Sequence, residues 1–230
     1  MQRLLIAIDG PAGAGKSTVA QKLAERLGLN YVDTGASYRA AALKVLEDGV
    51  SPDDPGSVIA AVSKADIQLK SSGSKLRVML DGRDVTDRIR SPEVTLAASK
   101  VSRLPQVRSK LIALQRTLVR GQGVVMEGRD IGTVVLPGAP LKIFLTAHPE
   151  ERARRRLGDE REQGRSATLQ ETECDIGRRD QLDSKRSISP LLAAPDACQI
   201  DSTALSAEQV VEQIVQIARE RKLLSGEGSH

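Results

Sequence analysis

The sequence predicts an α/β protein, a parallel sheet flanked by helices, and three observations carry that expectation. Continuous β-prone apolar runs at Leu4 to Ile8, Val124 to Met126 and Leu141 to Leu145 read as strands buried on both faces. Stretches with apolar residues at helical spacing separate them. A glycine-rich loop, "IDGPAGAGKST" at residues 8–18, joins the first run to the first helical stretch. Strands alternating with helices build a parallel sheet covered on both faces.

Each element follows from a local signal. Val19, Leu23 and Leu27 share one helical face, and Gly28 suits the C-terminal cap of that helix. A short strand is expected at Asn30 to Asp33, then a turn at 33–35 in "DTGASYR", with Arg39 on the next helix about one turn beyond Ala36. Ile67 to Lys70, Leu76 to Leu80 and Arg83 to Thr86 break the alternation. They read as three short strands joined by "SSGS" and "DG" turns, a small antiparallel insertion. Pro92 and Pro105 open two further helices, the second carrying Val107, Leu111, Leu114 and Leu118. The polar stretch "GDEREQGRSATLQ" at 158–170 reads as an irregular, mobile flap. A last strand is expected at Ala197 to Asp201. Ser206 and Gln209 then form a capping box before Val210, Val211, Ile214, Val215 and Ile217. The tail at 225–230 has nothing to pack.

Composition bounds what such a protein does. With 230 residues and 40% hydrophobic content, the chain fills the core of one large domain with insertions. Tyr31, Tyr38 and Phe144 are the aromatics and Trp is absent, so stacking platforms for nucleic acid are scarce and no nucleic-acid partner is expected. A net charge of +4 from 34 basic and 30 acidic residues describes a solvated surface, not a polyanion-binding face. Cys174 and Cys198 lack CxxC or Cys/His spacing, and His148 and His230 form no metal pair; two reduced thiols are expected. The opening apolar run is too short for a secretory or membrane segment, which implies a cytoplasmic protein with no membrane partner.

The glycine loop meets the pattern GxxxxGK[ST] with Gly10, Gly15, Lys16 and Ser17, after a strand and before a helix, which makes it a P-loop. Across Gly10, Pro11, Ala12, Gly13, Ala14, Gly15, Lys16, Ser17 and Thr18, backbone N–H groups converge on phosphate oxygens. Lys16 adds charge at the terminal phosphates, and Ser17 is the candidate Mg²⁺ ligand. P-loops serve switches, motors and kinases alike. "DDPG" at 53–56 and "SKAD" at 63–66 imitate GTPase elements, but they sit too close together and lack the Asn; they read as helix-start and surface residues.

Other residues suit a second anionic compound. Arg39 follows the turn at 33–35. Arg129 and Asp130 in "EGRDIGT" follow a buried strand at its carboxyl end, where ligands of open α/β sheets bind, although a surface ion pair fits the same spacing. The near-repeat "DGRD" at 81–84 follows an alternating run and reads as a hairpin turn without chemistry. In "RRDQLDSKR", Arg179, Asp183 and Arg186 fall at i, i+4 and i+7 on one helical face, able to hold a phosphate and a ribose diol. Standing alone, that motif equally describes an exposed helix laced by ion pairs, as does "ERARRR" with Arg152 and Arg156 on one face.

Taken in order, "IDGPAGAGKST", "YVDTGASYRAAAL", "AASKVSRLPQVRSKLIALQR", "GVVMEGRDIGTVVLPGAPLKIFLTA", "RRDQLDSKRSISPL" and "DACQIDSTALSAEQVVEQI" resemble the bacterial cytidylate kinase family over nearly the whole chain. The insertion around residues 63–90 is also similar to one typical of that family. The resemblance implies a P-loop NTPase sheet with an NMP-binding region and a lid, and transfer of the γ-phosphoryl group of ATP to CMP or dCMP with Mg²⁺. It implies core residues 1–35, 97–155 and 170–225, an NMP-binding region at about 36–96, a lid at about 156–170, and a monomer. By motif position Ser99, Arg108 and Asp130 read cytosine, with Thr34 near it. Arg39 and Arg129 hold the CMP phosphate, Arg179 and Asp183 the ribose, and Arg186 the transferred phosphate. Lys16, Arg129 and Arg186 are the implied catalytic residues, and Arg152 and Arg156 lie on the lid side of ATP. Glu127 stands where the family often has Asp, and Thr34 where Ser is common. Two other readings remain: a P-loop kinase for another acceptor, UMP or a hydroxyl metabolite, and an ATP-binding regulatory switch.

Overall fold

A computed structural model describes residues 4–162, 167–184 and 188–224. Five strands, β1 (Leu5–Asp9), β2 (Asn30–Asp33), β6 (Val124–Gly128), β7 (Leu141–Thr146) and β8 (Cys198–Asp201), form a sheet in the order β2-β6-β1-β7-β8. Every pairing in it is parallel. β1 is central, with Ile8 opposite Glu127 of β6 on one side and Ile143 of β7 on the other. Ile6, Ala7 and Ile8 are fully buried, as a strand covered on both faces requires.

Helices cover the two faces separately. On one lie α1 (Lys16–Leu27) and α8 (Ala207–Glu220), which pack Val19, Leu23, Val211 and Ile214 against Ile6, Ile8 and Ile143. On the other lie α2 (Thr34–Glu47), α3 (Pro55–Lys64), α4 (Pro92–Val101) and α5 (Pro105–Thr117), whose Ala40, Val62, Val101 and Leu111 meet Ala7, Val32 and Met126. The expected caps are in place: Gly28 closes α1 at φ 62°, and Ser206 and Gln209 form the reciprocal box at the start of α8. The helix expected after a turn at 33–35 begins earlier, at Thr34. Asp33 is its N-cap, its carboxylate accepting from Ala36 N–H at 3.2 Å, which draws Thr34 and Gly35 into the first turn.

The insertion is the expected antiparallel sheet of β3 (Ile67–Ser72), β4 (Lys75–Leu80) and β5 (Arg83–Asp84). Its first hairpin turn docks on the outer side of β2. Tyr31 N–H donates to Gly73 O at 2.9 Å, Gly73 N–H to Asn30 Oδ1 at 3.0 Å, and Ser71 Oγ to Tyr31 O at 2.7 Å.

The polar stretch from Gly158 differs from the expected irregular flap. Helix α6 (Pro149–Glu162) runs through Gly158, and α7 (Leu169–Ser184) begins a few residues on. Ion pairs Arg154–Glu150 and Arg155–Glu151 at i,i+4, with Glu150 and Glu151 in the first turn, offset the roughly 1 kcal/mol that one interior glycine costs. The middle of the proposed flap at 163–166, Arg186 and the tail at 225–230 lie outside the described residues. Among the described residues no helix is long and apolar enough to cross a membrane, and Cys174 and Cys198 are free.

Candidate active site

The phosphate loop leaves β1 at the centre of the sheet, where neighbouring connections depart to opposite sides. This is the crevice in which open α/β sheets bind ligands. Gly10 holds φ 149°, and a Cβ there would lie 2.0 Å from Leu145 O, so only glycine lets the loop pass β7 this closely. Gly15 is the left-handed N-cap of α1, which aims the start of that helix into the crevice. Lys16 is buried, and its Nζ donates to Pro11 O at 2.7 Å. Burial, reinforced by the Arg129 guanidinium, pushes its ammonium down to about 7.

A cleft of about 940 Å³ opens in front of the loop. Residues 12–18 line it together with Thr34, Arg39, Ser99, Arg108, Arg129, Asp130, Arg156, Arg179 and Asp183. Eight acceptor-site residues anticipated from motifs scattered between positions 34 and 183 therefore share one cavity with Lys16. Two expected loop residues, Gly10 and Pro11, shape the loop from behind without lining the cleft. Arg152 departs further from expectation. Its side chain is buried, with Nε on Ala147 O, Nη1 on Ala12 O, and an ion pair to Asp180, so it faces the back of the loop.

Charge defines the middle of the cleft. The Arg179 guanidinium is pushed down to about 10 by burial, and then by Arg129, Arg156 and Arg39, so these three cations lie close enough to act on it. Asp33 and Asp183 offset part of that charge: Arg39 pairs with Asp33 at 2.5 Å, and Arg129 Nε donates to Asp183 Oδ2 at 2.9 Å. Four guanidiniums and a depressed lysine in one cavity form a site whose field favours an anion.

At the far end, Arg108 and Asp130 form a buried pair. Arg108 Nη2 donates to Asp130 Oδ2 at 2.5 Å, its Nη1 to Ser102 O at 3.2 Å, and its carbon centre sits 5.3 Å from the centroid of the Tyr38 ring. Arg108 Nε is buried without a hydrogen-bond partner. A polar base edge entering here meets a donor and a carboxylate already desolvated and held.

Behind the loop, Tyr31 OH donates to Glu127 Oε1 at 2.8 Å, and the Ser17 hydroxyl hydrogen-bonds to the same carboxylate. Burial, with Asp33 nearby, raises the Glu127 carboxyl above its ordinary range. Asp9 at the end of β1 accepts from Ile131 N–H and Gly132 N–H, each at 2.7 Å, and so strings the wide helical turn at 131–135 to the base of the phosphate loop.

Sequence reasoning passed over Tyr38, Arg90 and Arg155, all of which line the cleft. Arg155 donates Nη1 and Nη2 to Ser202 Oγ and O at 3.0 and 2.6 Å, and Nη1 would lie 3.5 Å from a Cβ on Gly15. Its signal was present: Arg155 stands one residue before Arg156 on the arginine-rich face of α6.

Cations drawn from four helices and the end of β6 thus converge in front of a single phosphate loop, and the class this defines is a P-loop phosphotransferase for small anionic acceptors. Known proteins narrow the class. The cytidylate kinase family profile matches residues 6–220. A cytidylate kinase from Pelotomaculum thermopropionicum is 53% identical over 212 residues, 91% of this chain and 93% of its own. One from Geobacillus kaustophilus is 50% identical over 220 residues, 96% and 98% of the two chains. Among solved structures, an uncharacterized protein from Eubacterium ventriosum aligns with a TM-score of 0.51 at 13% identity, over 94% of this chain and 99% of that one, a likeness of fold. The chain belongs to the cytidylate kinase family.

Proposed function

We propose that this protein transfers the γ-phosphoryl group of ATP to CMP or dCMP, giving ADP and CDP or dCDP. The observation that carries the reading is the gathering of Arg39, Arg129 and Arg156 around Arg179 in the cleft that Lys16 lines. In the reaction an oxygen of the acceptor phosphate bonds to the γ-phosphorus, and the bond from that phosphorus to the β,γ-bridging oxygen breaks. Charge builds on the equatorial oxygens and on the leaving ADP.

The roles follow from position. The loop N–H groups and Lys16 hold the donor phosphates, and Arg39 and Arg129 hold the acceptor phosphate. Arg156 and Arg179 lie between, where the equatorial oxygens gather charge. By motif position alone, Arg186 is assigned to the transferred phosphate. Asp183 and Arg179 suit the ribose hydroxyls. The Arg108–Asp130 pair with Ser99 reads cytosine: the carboxylate accepts from its exocyclic amino group, and Arg108 donates to its ring acceptors. Uracil turns an oxygen toward Asp130 and forfeits that bond, for a discrimination of about 10²-fold or more.

A Mg²⁺ ion fits the donor set, because the Ser17 hydroxyl and the Glu127 carboxylate are hard oxygen groups hydrogen-bonded to one another at the loop. Ser17 would hold it directly and Glu127 through water, and the ion supplies charge neutralisation on the donor phosphates. By motif position we assign residues at about 36–96 to the acceptor and those at about 156–170 to the donor as its lid.

The test is a coupled assay of ADP release with CMP, dCMP, UMP, AMP or no acceptor. Turnover that depends on CMP or dCMP supports the reading. Equal rates without acceptor make the protein an ATPase, and preference for another acceptor reassigns the Arg108–Asp130 pocket.

A further inference from the structure

Ala12, in the middle of the phosphate loop, is gripped on both its polar groups from behind. Its N–H donates to Asp180 Oδ1 at 3.2 Å, and its carbonyl accepts from Arg152 Nη1 at 3.0 Å. Arg152 and Asp180 also pair with each other, and Arg152 Nε is fixed on Ala147 O at 3.1 Å. The Ala12 methyl packs with Ala153 of α6 and Ile176 of α7 in a small apolar cluster of its own. At Gly13 a Cβ would stand 2.7 Å from Arg152 O, so the α6 backbone rests directly on the loop. Hydrogen bonds, an ion pair, apolar packing and backbone approach thus converge on two consecutive loop residues.

The same helix that supplies Asp180 turns its neighbours to the other side. Arg179 and Asp183 line the cleft, and Asp183 accepts from Arg129. Adjacent residues of α7 therefore address the donor loop and the acceptor cleft. We infer that Arg152 and Asp180 are positioning residues, a latch that holds the phosphate loop and the acceptor-facing side of α7 in one frame. Transfer requires the γ-phosphorus and the acceptor oxygen to be held a few tenths of an ångström from reacting distance, and a displacement of about 1 Å costs up to about 10²-fold in rate. Arg152 and Asp180 hold Ala12 and contribute no group to the cleft lining. The latch therefore acts on turnover more than on affinity. It replaces the expected contact of Arg152 with ATP, and it rests on the kinase reading above.

The test compares Asp180→Ala, Asp180→Asn and Arg152→Lys with the parent protein. It measures kcat and KM for ATP and CMP, calorimetric affinities for ADP and for CMP alone, and far-UV circular dichroism with thermal melts. The expected result for Asp180→Ala is a fall in kcat of about 10- to 100-fold, with either affinity changing less than about threefold. Asp180→Asn keeps an oxygen for the Ala12 N–H and recovers a large part of kcat. Should Asp180→Ala fail to fold, Arg152→Lys gives the same readout, since one ammonium cannot bridge Ala147 O, Ala12 O and Asp180 together. A folded variant with kcat within twofold of the parent reduces the latch to packing. Loss confined to ADP affinity makes Arg152 a donor ligand after all. Absence of CMP-dependent turnover in the parent instead overturns the kinase reading, so the two failures are distinct.

Discussion

Arg108 and Asp130 meet in a buried ion pair, Nη2 to Oδ2 at 2.5 Å, that joins α5 to the end of β6. A buried pair of this kind contributes little net stability, yet breaking it leaves a desolvated charge at a penalty of about 3–5 kcal/mol. Replacing Asp130 by Ala is therefore expected to lower the Tm and to raise KM for CMP by about 10²-fold or more, with KM for ATP nearly unchanged. Steady-state kinetics with each substrate varied in turn decides it. Equal effects on both constants remove Asp130 from base recognition.

Lys16 gives the opposite balance between stability and rate. Burial holds its ammonium down to about 7, so the folded state disfavours the charge and removing it leaves the fold no weaker. Lys16→Ala is expected to melt at or above the parent temperature while kcat falls by about 10²- to 10³-fold. Retained turnover in a folded variant contradicts the role assigned to this lysine.

Asp9 sets a pH dependence. Burial pushes its carboxyl from 3.8 up to about 6, against the pull of the Ile131 and Gly132 N–H groups. A carboxyl raised in this way binds more protons when folded than when unfolded between those two values. Its contribution to stability is complete below the lower value and is lost as pH climbs through the upper one. Urea unfolding from pH 4.5 to 7.5 is expected to show the parent losing about 2 kcal/mol relative to Asp9→Asn, with no further change above pH 7. Parallel profiles for the two proteins assign the titration elsewhere.

Gly128 is a steric test of the acceptor side. A Cβ there would lie 2.6 Å from Thr34 Oγ1 and from Ile131 Cδ1, and Thr34 is anchored by its bond to Glu127 O at 2.8 Å. Gly128→Ala is expected to lose about 1–3 kcal/mol by denaturant titration and to raise KM for CMP more than for ATP. A variant as stable as the parent, with unchanged KM for CMP, shows that Thr34 moves aside freely.

The parallel sheet was legible because strands covered on both faces are apolar at every position, and the glycine loop, proline helix starts and capping box depend on near neighbours alone. The cleft residues that were legible, such as those of the loop at 12–18 and the pair Arg179 and Asp183, belong to motifs whose members lie close together in sequence. Contacts made across the chain were not. The turn at 131–135 is shaped by a carboxylate more than a hundred positions earlier, and nothing in "IGTVV" announces it. Arg152 and Arg155 share one arginine-rich helix, and what separates them is Asp180, brought against Arg152 by a different helix. The helix through Gly158 carries i,i+4 ion pairs and first-turn acids that together offset one unfavourable residue.

The hairpin that docks on β2 acts beyond substrate contact. β2 is the outermost strand on its side of the main sheet, and the insertion occupies both the outward amide and the carbonyl of Tyr31. With those groups taken, a second chain finds no open ladder to extend, and the hairpin seals a border that would otherwise invite edge-to-edge aggregation. Trimming the insertion would therefore endanger solubility.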